Sequence, residues 1–150
     1  MKIRLAGIDD LERVSQLWVD MVKEEYGKNA TPNPKLWIEI NRNLMNGSDY
    51  SMFVVQDKLD IIGFVTGGIY HNPRDDKIHG ESPHIYVKPE YRKGKVGLHL
   101  YHNLAKRMIR QGAKVISFYC KVEKIEYWKK KGYVPTASIM SKPAHTFSGG

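Results

Sequence analysis

The residues whose types and spacing point most directly to chemistry form one basic turn, Arg92 to Gly97 (RKGKVG). The turn stands between an apolar stretch that predicts a strand and a periodic stretch that predicts a helix. Backbone N–H groups in such a turn converge on one point, and the helix dipole adds partial positive charge there. With its three basic side chains, the turn predicts a pyrophosphate site. The alternative is an ordinary strand-to-helix loop, with glycine as a bend and lysine for solubility.

The net charge of +8 is concentrated in the segment that contains this turn. Residues 88–131 hold 13 Lys and Arg against 3 Asp and Glu, whereas residues 1–87 hold 10 against 13. Such a segment is either a solvated basic face or the surroundings of an anion site.

Length and composition bound the fold and the compartment. A chain of 150 residues with 41% hydrophobic residues predicts one domain over residues 1–150, with a frayed tail from about 143 to 150. Cys120 is the only cysteine, which favours a reducing, cytoplasmic compartment. The sequence has no signal-peptide pattern and no apolar run of the ~18 residues that a membrane span needs. We therefore expect no membrane association.

The elements that must position the turn alternate in a β-α-α-β-β-β-α-β-α-β order. Spacings of three and four between apolar residues predict helices over about 10–27, 34–45, 97–111 and 123–131. Alternating and β-branched stretches predict strands over 2–6, 50–56, 59–70, 81–87, 114–120 and 133–142. Hairpins are antiparallel, and the last β-α-β crossover implies a parallel pair. The predicted fold class is α/β, with a mixed, mostly antiparallel sheet and helices on both faces.

The whole chain resembles the GNAT (Gcn5-related) N-acetyltransferases, which are single-domain proteins of this size and element order. Their signature is Arg or Gln, two variable residues, Gly, one variable residue, then Gly or Ala, after a strand ending in Val-x-Pro. Residues 87–89 (VKP) match the lead-in, and Arg92 and Gly97 match the ends of the signature. The middle glycine is Lys95 here. Residues 127–133 (YWKKKGY) resemble the family's aromatic-Tyr-x-x-x-Gly-Phe segment.

The resemblance implies acetyl-CoA as the acetyl donor and no metal. In the family, two central parallel strands splay apart and hold the pantetheine arm, so backbone groups near Tyr86 and Val87 would bind the arm and polarise the thioester carbonyl. The pyrophosphate would rest on the signature turn: Arg92, Lys93, Gly94, Lys95, Val96 and Gly97. Trp128 stands where the family often carries the tyrosine that protonates the leaving thiolate. Trp128 is therefore expected to pack in the core or against the cofactor, and Tyr127 or water would donate the proton.

The acceptor amine needs a base, because an alkyl amine with a pKa near ~10.4 arrives protonated at neutral pH. Glu81 lies where the family commonly places this base, and His84 is the second candidate. Strict alternation along a strand puts the two residues on opposite faces, whereas a bulge, common in this strand of the family, would change that. The other histidines show no metal-ligand spacing, so no zinc site is predicted.

By analogy with the family, the N-terminal half supplies much of the acceptor pocket, and its acidic balance suits a cationic amine. The candidate lining residues are Glu24, Glu25, Tyr26, Trp37 and Tyr70. Cys120 has no partner base, so we predict direct transfer in a ternary complex rather than through an acetyl-cysteine. The sequence leaves the acceptor open, as a small-molecule or peptide amine, and it leaves a homodimer open.

Two other functions compete with the transferase. The basic segment and its aromatic residues would also suit a nucleic-acid-binding module, whose binding would weaken steeply with salt. Trp128 in place of the family's tyrosine would suit a catalytically degenerate sensor of acyl-CoA. Acetyl transfer to a primary amine is the favoured prediction.

Overall fold

A computed structural model describes residues 1–137 and 139–147 of the chain. The strands are β1 (Lys2–Leu5), β2 (Tyr50–Asp57), β3 (Asp60–Asn72), β4 (Lys77–Val87) and β5 (Val115–Phe118). The α-helices are α1 (Leu11–Tyr26), α2 (Pro34–Met45), α3 (Val96–Arg110) and α4 (Ile125–Lys129). The chain divides into two compact units, Met1–Tyr119 and Cys120–Gly150. The first unit contains the whole described sheet.

The sheet has the order β1-β2-β3-β4-β5, and its neighbours are antiparallel except for the parallel pair β4–β5. This arrangement confirms the predicted mixed, mostly antiparallel sheet. The β2–β3 hairpin turns at Lys58, whose φ of 56° lies in the left-handed region that tight hairpin turns require. The β4–β5 pair, in contrast, is connected through α3, as a parallel crossover demands.

Helices cover both faces of the sheet, as predicted, and each face has its own apolar core. On one face the core joins α1 and α2 to alternate residues of β2–β4, including Leu17, Trp37, Val54, Phe64 and Tyr86. On the other face the core joins α3 to the intervening residues, including Val55, Val65, Val87, Leu100 and Leu104. This alternation of strand residues between two cores is the period of two that a sheet imposes.

The second helix shows why the sequence predicted its bounds correctly. Pro34 begins α2, where its fixed φ suits the first turn and its missing N–H is no loss. The Asn33 side chain accepts a hydrogen bond from the Leu36 N–H at 3.1 Å and so caps the helix. Local chemistry therefore determines where this helix begins.

The predicted strands over residues 133–142 are wrong for the part of this segment that the structure describes. Residues 133–137 and 139–142 form no strand, and Pro135 lacks the N–H that a ladder needs. Within the described residues, the parallel pair β4–β5 therefore forms one side of the sheet. Of the predicted frayed tail, Ala144–Thr146 form a 3-10 turn, and residues 148–150 lie outside the described residues, as Ser138 does.

The second compact unit carries the aromatic segment that resembles the family's C-terminal motif. The Trp128 ring packs edge-on against Tyr127 and Tyr133, with centroid distances of 5.1 Å and 5.4 Å. Gly132 has a φ of 92°, which lets the chain reverse after α4. The Trp128 indole is thus a packing group within this unit.

A buried carboxylate organises the start of the first unit. Asp10 accepts hydrogen bonds from Arg4 at 2.7 Å and 2.9 Å, from Arg13 at 3.0 Å and from the Gly7 N–H at 2.8 Å. Its side chain is only 8% exposed. The Arg4 hydrogen bonds, aided by Gly7 and by the charges of Arg4 and Arg13, outweigh burial and lower the pKa of Asp10 to about 2.

We predict that this carboxylate makes folding sensitive to acid. The folded-state pKa of Asp10 lies below its unfolded value of 3.8, so its stabilisation is complete above pH 4 and is lost as pH falls toward 2. The lost free energy of unfolding is about 2 kcal/mol. Urea unfolding of the wild type and of Asp10→Asn, measured from pH 6 to pH 2, should show the two stabilities converging in acid. Asp9→Asn, an exposed neighbour, is the control and should keep the wild-type slope.

Candidate active site

The basic turn presents unused backbone donors at the start of α3. Within the described residues, the N–H groups of residues 93–98 donate to no protein acceptor, and no side chain caps the helix. Before them, the Arg92 N–H donates to the Pro89 carbonyl at 3.2 Å, which closes a short 3-10 turn. Lys93, Gly94 and Lys95 are exposed. The start of α3 therefore offers free N–H groups, a helix dipole and two lysines to an anion.

Arg92 is bound by protein groups, although its side chain is 39% exposed. Its guanidinium forms a two-pronged ion pair with Glu24, at 2.7 Å for both bonds, although the two residues are 68 positions apart. Its Nε donates to the Val87 carbonyl at 2.7 Å, and its Cζ lies 5.1 Å from the centre of the Tyr86 ring. The hydrogen bond to Glu24 raises the pKa of Arg92. Arg92 thus ties the turn to the end of α1 and to the end of β4.

A β-bulge in β4 brings the two candidate bases to one face. Thr66 of β3 pairs with His84 and Gly68 pairs with Glu81, so β4 has one residue more than β3 in this interval. Gly80 faces Met108 of α3, and Tyr86 packs in the core on the α1 side. Because strand residues alternate between the two faces, Glu81, next to Gly80, faces α1. His84, two residues before Tyr86, faces α1 as well. Strict alternation would have separated them.

Gly67 allows the strands to approach at the bulge. A Cβ at this position would lie 2.6 Å from the Glu81 carbonyl oxygen and 2.8 Å from Leu104 Cδ2. Any larger residue at this position of β3 would therefore push β3 away from β4 and from α3.

Beyond the bulge, β4 has an open edge. The pairing of β4 with β5 covers only His79–Ser82, and the last contact is the Tyr119 N–H to the Ser82 carbonyl at 3.4 Å. Within Met1–Tyr119, no strand pairs with residues 83–87 on this side. The Lys88 N–H donates to Ile62 of β3, so alternation points the Val87 N–H to the open edge. The edge runs directly into the basic turn.

A cleft of about 430 Å³ opens between the end of α1, the following loop and β4. Its apolar wall consists of Trp18, Met21, Val22, Ala30 and Pro32. Its polar residues are Glu25, Tyr26, Thr31 and His84. The cleft lies on the face of β4 to which the bulge directs Glu81 and His84.

His84 lines the cleft and remains exposed to solvent. Partial desolvation lowers its pKa below the ordinary 6.5, and the charge of Glu25 offsets part of this shift. Glu25 and Glu24 are successive residues on α1 and so point about 100° apart. Glu25 therefore faces the cleft, whereas Glu24 binds Arg92.

The remaining predicted residues occupy other places in the fold. Trp37 is 8% exposed and stacks on Trp18 at 5.7 Å, so it supports the cleft wall from behind. The Tyr70 hydroxyl donates to Glu81 Oε1 at 3.1 Å, and the Tyr70 ring lies 5.6 Å from that of His79. Tyr127 and Trp128 belong to the second unit. Of the predicted acceptor residues, Glu25 and Tyr26 line the cleft together with His84.

Most of the apolar wall was missed from the sequence. Trp18, Met21 and Val22 continue the apolar stripe of α1, and that stripe alone predicts a core face. The usable signal was the width of this apolar stripe. Residues at the edge of a wide stripe stay partly buried, as Trp18 and Val22 do. Ala30, Thr31 and Pro32 belong to a loop that the sequence marks only as irregular.

The family model described as "Acetyltransferase (GNAT) family" matches residues 12–133. The chain therefore belongs to the GNAT acetyltransferase family.

Solved structures confirm the fold. Glucosamine-6-phosphate N-acetyltransferase from Arabidopsis thaliana is 18% identical, with a TM-score of 0.76, 95% of this chain and 97% of that chain covered. A GNAT family acetyltransferase from Staphylococcus aureus is 19% identical, with a TM-score of 0.72 and coverage of 95% and 97%. A ribosomal-protein-alanine N-acetyltransferase from Brucella melitensis is 16% identical, with a TM-score of 0.68 and coverage of 95% and 98%. No curated protein matches the sequence.

Two properties of the described residues bear on cofactor and location. They contain no group of three or more His, Cys, Asp or Glu side chains arranged to hold a metal ion. None of their helices has both the length and the apolar character to cross a membrane.

Proposed function

We propose that this protein transfers the acetyl group of acetyl-CoA to a primary amine by direct attack within a ternary complex. One observation carries the proposal: the free N–H groups of residues 93–98 adjoin an open edge of β4, and a cleft ending at His84 lies on the α1 side of the same strand. The donor and the acceptor thus each have a separate approach to β4.

The donor side uses mainly backbone groups. The N–H groups of residues 93–98, with Lys93 and Lys95, bind the diphosphate of the cofactor. The Val87 N–H and the backbone near Tyr86 bind the pantetheine arm and polarise the thioester carbonyl. Arg92, already bound to Glu24, keeps the turn in place. Gly94, Val96 and Gly97 let the main chain approach the phosphates.

Proton transfer requires a base on the acceptor side and an acid on the donor side. His84, neutral at pH 7 and at the cleft, removes a proton from the ammonium, and Glu81 is the second candidate. On the resemblance alone, Tyr127 donates a proton to the leaving thiolate and Trp128 packs against the cofactor. We place the activity in the cytoplasm, where acetyl-CoA and a free thiol at Cys120 are compatible.

Two of the structurally similar enzymes are named for different acceptors, an amino sugar phosphate and a ribosomal-protein alanine. Both present a primary amine. The common reaction is therefore amine acetylation, and the cleft of each protein determines which amine it accepts.

The test is a thiol-release assay with acetyl-CoA and a panel of primary amines, run beside calorimetric titration of acetyl-CoA. We expect saturable cofactor binding and amine-dependent thiol release. Cofactor binding without turnover of any amine would support the degenerate sensor instead. Absence of binding at millimolar acetyl-CoA would refute the proposal altogether.

A further inference from the structure

The cleft residues suggest which amines the protein accepts. We propose that the acceptor is a monocationic amine on an apolar body, without a phosphate, a carboxylate or a second ammonium group. This inference rests on the proposed function, because it assigns the substrate class of the same site. All residues of this cleft belong to the first unit.

The reacting amine sits beside Glu25 and His84, which both line the cleft. The charge of Glu25 also acts on the His84 imidazole. Glu25 is the only carboxylate among the cleft residues, and Glu24 is turned to Arg92. An ammonium group between Glu25 and His84 gains a charge-assisted hydrogen bond and lies beside its base.

The rest of the cleft suits an apolar body. Trp18, Met21 and Val22 form one wall along α1, and Ala30 and Pro32 form the other wall in the loop. A chain of methylene groups or an aromatic ring removes apolar surface from water here, at about 0.8 kcal/mol for each buried methylene. Affinity should therefore rise with the length of an alkyl amine.

The charges of the cleft reject other acceptors. None of the described cleft residues is Lys or Arg, so a phosphate or carboxylate on the acceptor would find no cation. A second ammonium group would lose hydration and would find only the neutral oxygens of Tyr26 and Thr31, since the described cleft residues include no second carboxylate. Both rejections follow from charge rather than from size.

The experiment compares three amines that have six carbons each. Hexylamine, 1,6-diaminohexane and 6-aminohexanoate are titrated calorimetrically and assayed by thiol release, and butylamine tests the effect of chain length. We expect hexylamine to bind about 15-fold more tightly than butylamine, since two methylenes each contribute about fourfold. We expect the two doubly functional amines to bind at least about tenfold more weakly than hexylamine.

A matched pair of variants tests the role of Glu25. Glu25→Gln should weaken hexylamine about tenfold through loss of a charged hydrogen bond. Glu12→Gln, which changes an exposed glutamate at the other end of α1, should leave hexylamine affinity unchanged. Both variants should bind acetyl-CoA as the wild type does.

The outcomes separate this inference from the proposed function. If acetyl-CoA binds and 1,6-diaminohexane or 6-aminohexanoate is the better acceptor, the inference is overturned and the transferase stands. If acetyl-CoA does not bind, the transferase fails and the acceptor assignment fails with it. Equal binding of all three six-carbon amines, or no effect of Glu25→Gln, overturns it in either case.

Discussion

Replacing His84 with glutamine is expected to lower kcat for amine acetylation by about 100-fold or more while leaving the affinity for acetyl-CoA unchanged. The imidazole lies at the cleft and faces the α1 side because of the bulge in β4. Burial keeps its pKa below 6.5, so the proton-accepting form dominates at pH 7. Glutamine preserves size and polarity but cannot accept the proton of an ammonium group.

The pH profile makes this prediction specific to a base. Wild-type activity should fall as pH drops through the pKa of His84, because the imidazolium form cannot accept a proton. The His84→Gln variant should lose this acidic limb. His102→Gln, a change of an exposed histidine on α3, should retain both the rate and the profile.

Companion variants decide between the candidate groups. If Glu81→Gln removes the activity and His84→Gln retains it, Glu81 is the base and our assignment is wrong. Tyr127→Phe, measured in the same assay, should slow turnover without weakening acetyl-CoA binding if Tyr127 protonates the thiolate. Calorimetry of acetyl-CoA on each variant separates lost chemistry from lost binding.

The double substitution Lys93→Glu with Lys95→Glu is expected to weaken acetyl-CoA binding by about 100-fold. The two side chains are exposed and adjoin the free N–H groups of residues 93–98. Reversing them removes two attractive charges from the diphosphate and adds two repulsive ones. The measurement is the calorimetric Kd at about 0.15 M ionic strength, where the screening length is about 8 Å.

A second double substitution controls for overall charge. Lys106→Glu with Lys114→Glu makes the same change in net charge at exposed positions near the far end of α3. It should weaken acetyl-CoA by no more than about twofold, since these charges lie beyond the screening length of the phosphates. Equal losses in both double variants would show that net charge, not the turn, attracts the cofactor.

Sequence reasoning succeeded where local chemistry decides the structure. The bounds of α2 followed from Asn33 and Pro34, which act within one helical turn. The basic turn was found because its glycines, its lysines and the strand before it are contiguous in the chain. The family resemblance supplied the expectations of an acetyl-CoA donor and of the site residues, and these stay predictions.

Sequence reasoning failed where contacts join distant residues. Arg92 and Glu24 form an ion pair across 68 positions of the chain, and the sequence around either residue does not indicate its partner. The bulge that unites Glu81 with His84 depends on the register of β3 against β4, and only the family resemblance had raised it as an alternative to strict alternation. Pro135 is evidence against a central strand over residues 133–142, but a proline is also compatible with an edge strand.

Within Met1–Tyr119, residues 83–87 of β4 have no strand partner on one side, and this has a consequence for how molecules of this protein behave toward one another. A bare strand edge is a template for intermolecular β-pairing, and therefore for aggregation. Lys88 follows the strand directly, and Lys93 and Lys95 stand in the next turn. Their mutual repulsion between two copies opposes such pairing, so the same positive charge that we assign to ligand attraction also protects the ligand-free protein in concentrated solution.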